Sequence, residues 1–207
     1  VFCYDNATVP TLELLAWTNA TTRATALVLQ NGVLSRSGSL TRRYLGTFYT
    51  ASTTTTEDSL VKRFLWNYYN RVRRPMRAIE GANSWTYTTA TFRQANATVA
   101  NQLDFVIGVS EDAVSAQVYG IAANTNTGVG VHVGIGLDST TDNATGFLSQ
   151  IPGTKLINVF EVLFAGLVTF PGIGRHFLAW LERSDAVGTT TWLGDNASPT
   201  ILQTGIH

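Results

Sequence analysis

Apolar and polar residues alternate with a period of two along most of this chain, and turn-forming residues interrupt the alternation at short intervals. That pattern predicts antiparallel strands, because successive strand side chains point to opposite faces of a sheet. Phe2-Cys3-Tyr4 reads as the end of a strand, and residues 11–18 as the next. Residues 26–30 meet 33–36 across Asn31-Gly32. Both residues accept the positive φ of a type I′ turn, so a hairpin is predicted there. Residues 42–50 predict a strand with Tyr44, Gly46 and Phe48 on one face. A polar connection, 51–58, is too short to link independent domains. It leads into 62–71, where alternation sets Phe64, Trp66 and Tyr68 opposite Leu65, Asn67 and Tyr69. A helix competes for that run, but its aromatic density favours strand.

Further along, 76–80 continues after a kink at Pro75, and 85–87 and 91–94 predict short strands on either side of a turn. Residues 103–109, 113–122 and 129–137 predict three strands in succession, marked by Gly108, Gly120, Gly130, Gly134 and Gly136. Glycine weakens a strand, so its use there implies close packing against a neighbouring sheet or subunit. Residues 155–169 fit a buried strand or a short helix. Residues 176–183 and 189–193 predict a hairpin through 185–188, and 200–206 a closing strand. No repeat at a fixed period is present. The fold class expected is all-β: an antiparallel β-sandwich, jelly-roll-like, with at most a short helix, in one domain over 1–207.

Composition narrows the function classes. Fourteen basic residues balance 14 acidic ones, which gives no reason to expect a nucleic-acid partner. The one basic stretch, Arg71-Val72-Arg73-Arg74-Pro75-Met76-Arg77, reads as a solvated strand end. Cys3 is the only cysteine, so stability must come from packing and hydrogen bonds. The most apolar run, 156–173, is broken by Asn158, Glu161, Gly166, Pro171 and Gly172. A membrane span needs about 20 mostly apolar residues, so this run is read as buried in protein and no membrane insertion is expected. Five Asn-Ala-Thr or Asn-Ala-Ser triplets begin at Asn6, Asn19, Asn96, Asn143 and Asn196. They match glycosylation acceptors, but Asn tolerates left-handed backbone and Thr favours the following strand, so a β-turn role is expected.

Candidate chemistry is sparse. His132, His176 and His207 have no partners at metal-ligand spacing, and no metal or other cofactor is expected. There is no Gly-x-Ser-x-Gly elbow, and Lys62 and Lys155, the only lysines, sit in no phosphate loop. Gly128-Val129-Gly130 precedes a β run rather than a helix, so it is no dinucleotide loop. Paired carboxylates could serve a glycosidase: Glu111 with Asp112, Asp138 with Asp142, or Glu161 with Glu182. Glu111-Asp112 falls between two strands and reads as a turn. The oxygen-rich stretch 136–143 suggests a calcium loop but lacks EF-hand spacing. Aromatics are the other resource. Most belong in the core, and Trp85, Tyr87 and Tyr69 are the candidates for an exposed glycan-binding platform.

Several blocks carry a family resemblance in their order. They are Thr41-Arg42-Arg43-Tyr44-Leu45-Gly46-Thr47-Phe48, then Glu57-Asp58-Ser59 leading to Lys62-Arg63-Phe64-Leu65-Trp66-Asn67-Tyr68-Tyr69-Asn70-Arg71. Ser84-Trp85-Thr86-Tyr87-Thr88-Thr89-Ala90-Thr91-Phe92-Arg93-Gln94-Ala95-Asn96 follows, with Gly134-Ile135-Gly136-Leu137-Asp138-Ser139-Thr140-Thr141 and Gly174-Arg175-His176-Phe177-Leu178-Ala179-Trp180-Leu181-Glu182 after it. Together they resemble the C-terminal module of tailed-bacteriophage virion structural proteins of the tail-fibre, head-fibre and decoration type. The resemblance implies a non-enzymatic component displayed on the virion surface, commonly a homotrimer. Its partners would be other capsid or tail proteins and a host-surface glycan. In that family further strands precede the module, so a missing N-terminal segment is expected here. No catalytic motif carries over.

Overall fold

The alternation is realised as strands throughout. The structure is a computed structural model and describes residues 1–144, 157–195 and 204–207. In chain order the strands are β1 (Phe2–Asn6), β2 (Val9–Glu13), β3 (Leu27–Gln30), β4 (Val33–Arg36), β5 (Ser39–Tyr44), β6 (Gly46–Phe48), β7 (Lys62–Arg63), β8 (Leu65–Asn67) and β9 (Ala78–Ile79). They continue as β10 (Ser84–Thr86), β11 (Arg93–Gln94), β12 (Gln102–Ile107), β13 (Val114–Asn124), β14 (Val131–Leu137), β15 (Glu161–Thr169), β16 (Gly174–Ser184), β17 (Thr190–Leu193) and β18 (Gly205–Ile206). A 3-10 turn lies at Ala95–Ala97. The chain is therefore all-β, with several sheets and mostly antiparallel pairing. It divides into two compact units: Val1–Arg74 with Asp104–Asp112 and Gly172–His176, and Pro75–Leu103 with Ala113–Pro171 and Phe177–His207.

In the first unit a five-stranded sheet runs β2-β1-β5-β4-β3. The Asn31-Gly32 hairpin forms as predicted, with φ of 50° and 80° at the two turn residues. Ala7 and Thr8 make a second two-residue turn with positive φ between β1 and β2. The strand expected at 11–18 begins earlier, at Val9, and ends at Glu13. The run 42–50 breaks at Leu45, whose amide bonds Val1 and whose carbonyl takes the Tyr68 amide. The alternation over 62–71 holds by burial: Phe64 is buried, Trp66 and Tyr68 are half-buried, and Leu65, Asn67 and Tyr69 are exposed. The run is nevertheless two short strands. The Phe64 amide leaves the ladder for the Glu57 carbonyl. β7 pairs in parallel with β12, whereas β8 pairs with β6. The basic stretch is exposed coil rather than a strand end, and Arg71 and Arg74 reach Asp112 and Asp58.

Phe2, Tyr44 and Val109 centre the core of this unit, with Leu15, Leu27, Leu34, Trp66 and Tyr68 packed around them. The Tyr44 ring lies 5.7 Å from Phe2, 6.2 Å from Trp66 and 5.9 Å from Tyr68. Gly108 lies against this cluster, and a Cβ there would collide with the Trp66 ring and sit 2.5 Å from the Tyr44 hydroxyl.

In the second unit β13 is the central strand. It pairs with β15 over nine positions, from Val114 opposite Thr169 to Ala122 opposite Glu161. Its other edge takes β17 and β18, and the sheet continues to β10 and β9. A separate set of pairings joins β16 to β11 and β14. The two sets meet at Gly120, where a Cβ would lie 2.9 Å from Val133 Cγ1 and 3.4 Å from the Trp180 ring. Trp180 and Trp192 are fully buried there. Gly120 thus marks close approach between sheets, whereas Gly136 makes room for the backbone of its own following loop at Ser139 and Asp142.

β13 and β14 follow one another in the chain but do not pair, since β14 takes β16. Two expectations from sequence are corrected. The hairpin of 176–183 with 189–193 does not form, because the edges of β16 hold β11 and β14 while those of β17 hold β10 and β13. The chain instead turns a corner between sheets, tied by a 2.7 Å hydrogen bond between the Ser184 and Thr190 hydroxyls. For the same reason β10 and β11 join different sheets. In the apolar run, Leu163, Ala165 and Leu167 are buried, but Val162, Val168, Phe160 and Phe170 are not. Residues 155–156, and 200–203 of the expected closing strand, lie outside the described residues.

Candidate functional site

Trp85 and Tyr87 belong to the second unit and Tyr69 to the first. Trp85, on β10, is half-buried. Its ring stacks on Trp192 at 6.4 Å and 9°, meets the edge of Trp180 at 5.9 Å, and donates its indole N–H to Glu182 Oε2 at 2.6 Å. Tyr87 donates its hydroxyl to the Thr91 carbonyl at 2.8 Å, and the Arg93 guanidinium covers one ring face at 3.9 Å. Tyr69 is exposed; Arg43 lies over its ring at 4.4 Å and donates Nε to its hydroxyl at 2.5 Å. Each ring therefore has one face or edge already used by its own surroundings.

These contacts converge on Glu182. The antiparallel register of β11 and β16 sets Arg93 opposite Glu182. The fully buried carboxylate accepts the Trp85 indole, Arg93 Nε at 2.8 Å and the Asn96 amide at 3.1 Å. Asn96 reaches it through a left-handed backbone, φ 52°. Burial pushes the Glu182 carboxyl above its usual range, against the pull of Trp85 and Arg93. The Asn-Ala-Thr triplet at Asn96 is thus a turn that turns an amide inward. Asn19 likewise caps its own bend through the Thr21 amide, and Asn143 Oδ1 takes the Ile135 amide. Asn6 precedes the Ala7-Thr8 turn, while Asn196 lies outside the described residues.

The other carboxylates bind separate partners. Asp112 takes the Trp66 indole at 2.7 Å and pairs with Arg71, which also reaches Glu111. Asp138 accepts the Phe177 amide, and Asp142 bonds Ser139 within its own loop. Glu161 stands opposite Ala122 on β13, in a different sheet from Glu182. Arg71 thus joins Glu111 to Asp112, and the described residues contain no cluster of three or more metal-ligating side chains. His132 is buried, with Nε2 3.5 Å from Asp185, and burial and Arg183 lower its pKa.

An opening lies in the first unit, where the chain leaves β2. A cleft of about 450 Å³ is lined by Leu14, Leu15, Trp17, Asn19, Thr47, Phe48 and Tyr49 among others. Arg23 holds the Trp17 ring from one side at 4.8 Å, and Phe64 meets Tyr49 edge-on at 5.1 Å. A concave, mostly apolar wall with a few polar groups at its rim is the form of a small-ligand site. Trp17 and Tyr49 stand among many aromatics in the sequence, and alternation does not separate them because 14–26 is not strand.

No protein-family model matches this chain, and no curated protein matches it.

Proposed function

We propose that this chain is a non-enzymatic structural component of a tailed-phage virion, an exposed fibre, spike or capsid-decoration module that works through protein–protein assembly. The fold we propose for it is a β-sandwich of jelly-roll type. The order of sequence blocks supports the family reading. One structural observation carries the assembly role: the outer face of β15 is apolar along its whole length, with Val162 and Val168 exposed and Phe164 half-buried against Tyr119. A soluble domain that works alone rarely keeps such a strand uncovered. Mass spectrometry and surface immunolabelling of gradient-purified virions test the reading. Stoichiometric presence on the particle is expected; absence from particles with a pool free in the lysate overturns it.

A second reading has its own observation. The cleft beside Trp17 and Tyr49 offers two half-buried aromatic rings with Asn19 at the rim, a combination suited to stacking on a host-surface sugar. Trp17→Ala is expected to abolish retention on a glycan array while leaving the fold intact. Retention unchanged by that substitution refutes it.

A further inference from the structure

β15 carries apolar residues on both faces. Its odd positions, Leu163, Ala165 and Leu167, are buried, while Phe160, Val162, Val168 and Phe170 are 47, 47, 59 and 65 % exposed. On one edge the strand pairs with β13; among the described residues no strand joins its other edge. An uncovered apolar edge strand is a template for another strand.

The sequence around that edge is self-complementary under a two-fold rotation centred on Ala165. Antiparallel pairing of β15 with a second β15 sets Val162 opposite Val168, Leu163 opposite Leu167, and Glu161 opposite Thr169. It also sets Phe164 opposite Gly166, the one residue there without a side chain, and Phe160 opposite Phe170 just beyond the strand ends. Directly opposed side chains lie on the same face of a sheet, so the exposed residues pair with one another and the buried ones likewise. A shift of one position would set buried residues against exposed ones.

We infer that β15 joins a second copy of this chain in that register, forming a two-fold dimer with one sheet continuous across the seam. The inference deepens the assembly role proposed above by naming the partner. Charge supports it. The open face of β15 and its neighbours Ser115, Gln117, Tyr119 and Ile121 on β13 carry no charged side chain, so two copies meet on that face without desolvating an ion; Glu161 lies on the other face, at the end of the seam. The same face offers nothing to a phosphate or a basic peptide. Area supports it too. The exposed rings of Phe160 and Phe170 contribute about 200 Å² per chain. The valines and the backbone edge extend the seam towards the roughly 800 Å² per partner of a stable interface. Closure follows from the symmetry: each copy uses its β15 edge once, and growth stops at two.

Sedimentation equilibrium on the purified 207-residue chain tests this, with circular dichroism on every variant to verify folding. Both probe positions are exposed, so charged side chains there leave the single chain folded. Wild type is expected to be a dimer. The V162K/V168K variant sets lysine against lysine twice across the seam and is expected to raise the dimer Kd by about tenfold or more. The V162E/V168K variant sets glutamate against lysine at the same two places and is expected to restore dimerisation. A wild-type chain that stays monomeric near 100 μM, a trimer, or equal effects of both double variants would overturn the inference. A monomer found stoichiometrically on virions would overturn it while leaving the virion role standing.

Discussion

Gly108→Ala puts a methyl group where the first unit has no room for one. The Cβ would fall within the Trp66 ring's contact shell and 2.5 Å from the Tyr44 hydroxyl. Neither neighbour can step aside freely. Trp66 is held by its indole bond to Asp112 at 2.7 Å, and Asp112 is held by Arg71. Tyr44 is fully buried, hydrogen-bonded to Thr47 at 2.6 Å and to Arg23 at 3.1 Å. The Gly108 carbonyl also anchors Arg23 at 2.6 Å, so moving the backbone costs that bond as well.

Overpacking a well-filled core costs about 1–3 kcal/mol. Displacing Trp66 far enough to break its bond to a carboxylate adds about 1.5–3 kcal/mol. The expected loss is therefore about 2–5 kcal/mol in equilibrium urea unfolding followed by tryptophan fluorescence. Trp66→Leu removes the colliding ring, so the double variant G108A/W66L is expected to lose less than the two single losses added, by about 1 kcal/mol or more. A loss under about 0.5 kcal/mol for G108A, or strict additivity in the double variant, would refute the claim that Gly108 exists to admit the Trp66 ring.

Gly81 supplies the opposite case: it has open space and no positive φ, so Gly81→Ala is expected to leave stability unchanged or raise it by about 0.4–1 kcal/mol, read in the same unfolding assay. Glu182→Gln turns an amide N–H₂ against either the Trp85 indole or the Arg93–Asn96 pair and is expected to cost about 2–4 kcal/mol; the E182M/R93M double variant, which removes both members, is expected to cost less than the two single changes combined, measured by a double-mutant cycle. His132 is held neutral by burial, so its folded pKa lies below the ordinary 6.5. The unfolded chain then binds more protons, and the contribution of His132 to stability is present above pH 6.5 and lost as pH falls through its lowered folded value. Thermal melts from pH 8 down to 5 are expected to show that slope reduced in His132→Gln, with the remainder including His207, whose pKa is lowered in the same direction. Val168→Ser on the open face of β15 is expected to change single-chain stability by under about 0.5 kcal/mol, whereas a covered valine would cost about 1.5–3 kcal/mol; unfolding at nanomolar concentration decides between them.

Period-two patterning located most of the strands because it depends only on which side chains share a face. It placed Phe64, Trp66 and Tyr68 together, and the burial of those residues agrees. The Asn31-Gly32 hairpin was legible because its turn demands positive φ at both residues. Partner choice was not legible. β16 and β17 are adjacent in the chain and connected by a turn-rich segment, yet each finds its neighbours elsewhere. The register of a corner is set by which edges are already occupied, and no local pattern records that. Glu182 was visible as a carboxylate in the sequence. Its burial was not, because the three donors that satisfy it come from Trp85, Arg93 and Asn96, nearly ninety or more positions away along the chain.

β14 and β15 make the same claim in sequence and receive different answers in structure. Both lack a polar face: β14 reads Val-His-Val-Gly-Ile-Gly-Leu and β15 carries one charge, at its first residue. A strand apolar on both sides is one whose both sides are meant to be covered. β14 is covered on both, and every residue from Val131 to Gly136 is buried. β15 is covered on one, and its second face costs solubility without adding to the stability of the unit that carries it. Chance offers no reason for that second face to be uncharged from Phe160 to Phe170 and also to match itself about Ala165. A surface shaped only by the folding of one chain would need neither property, whereas a surface shaped by meeting its own copy needs both.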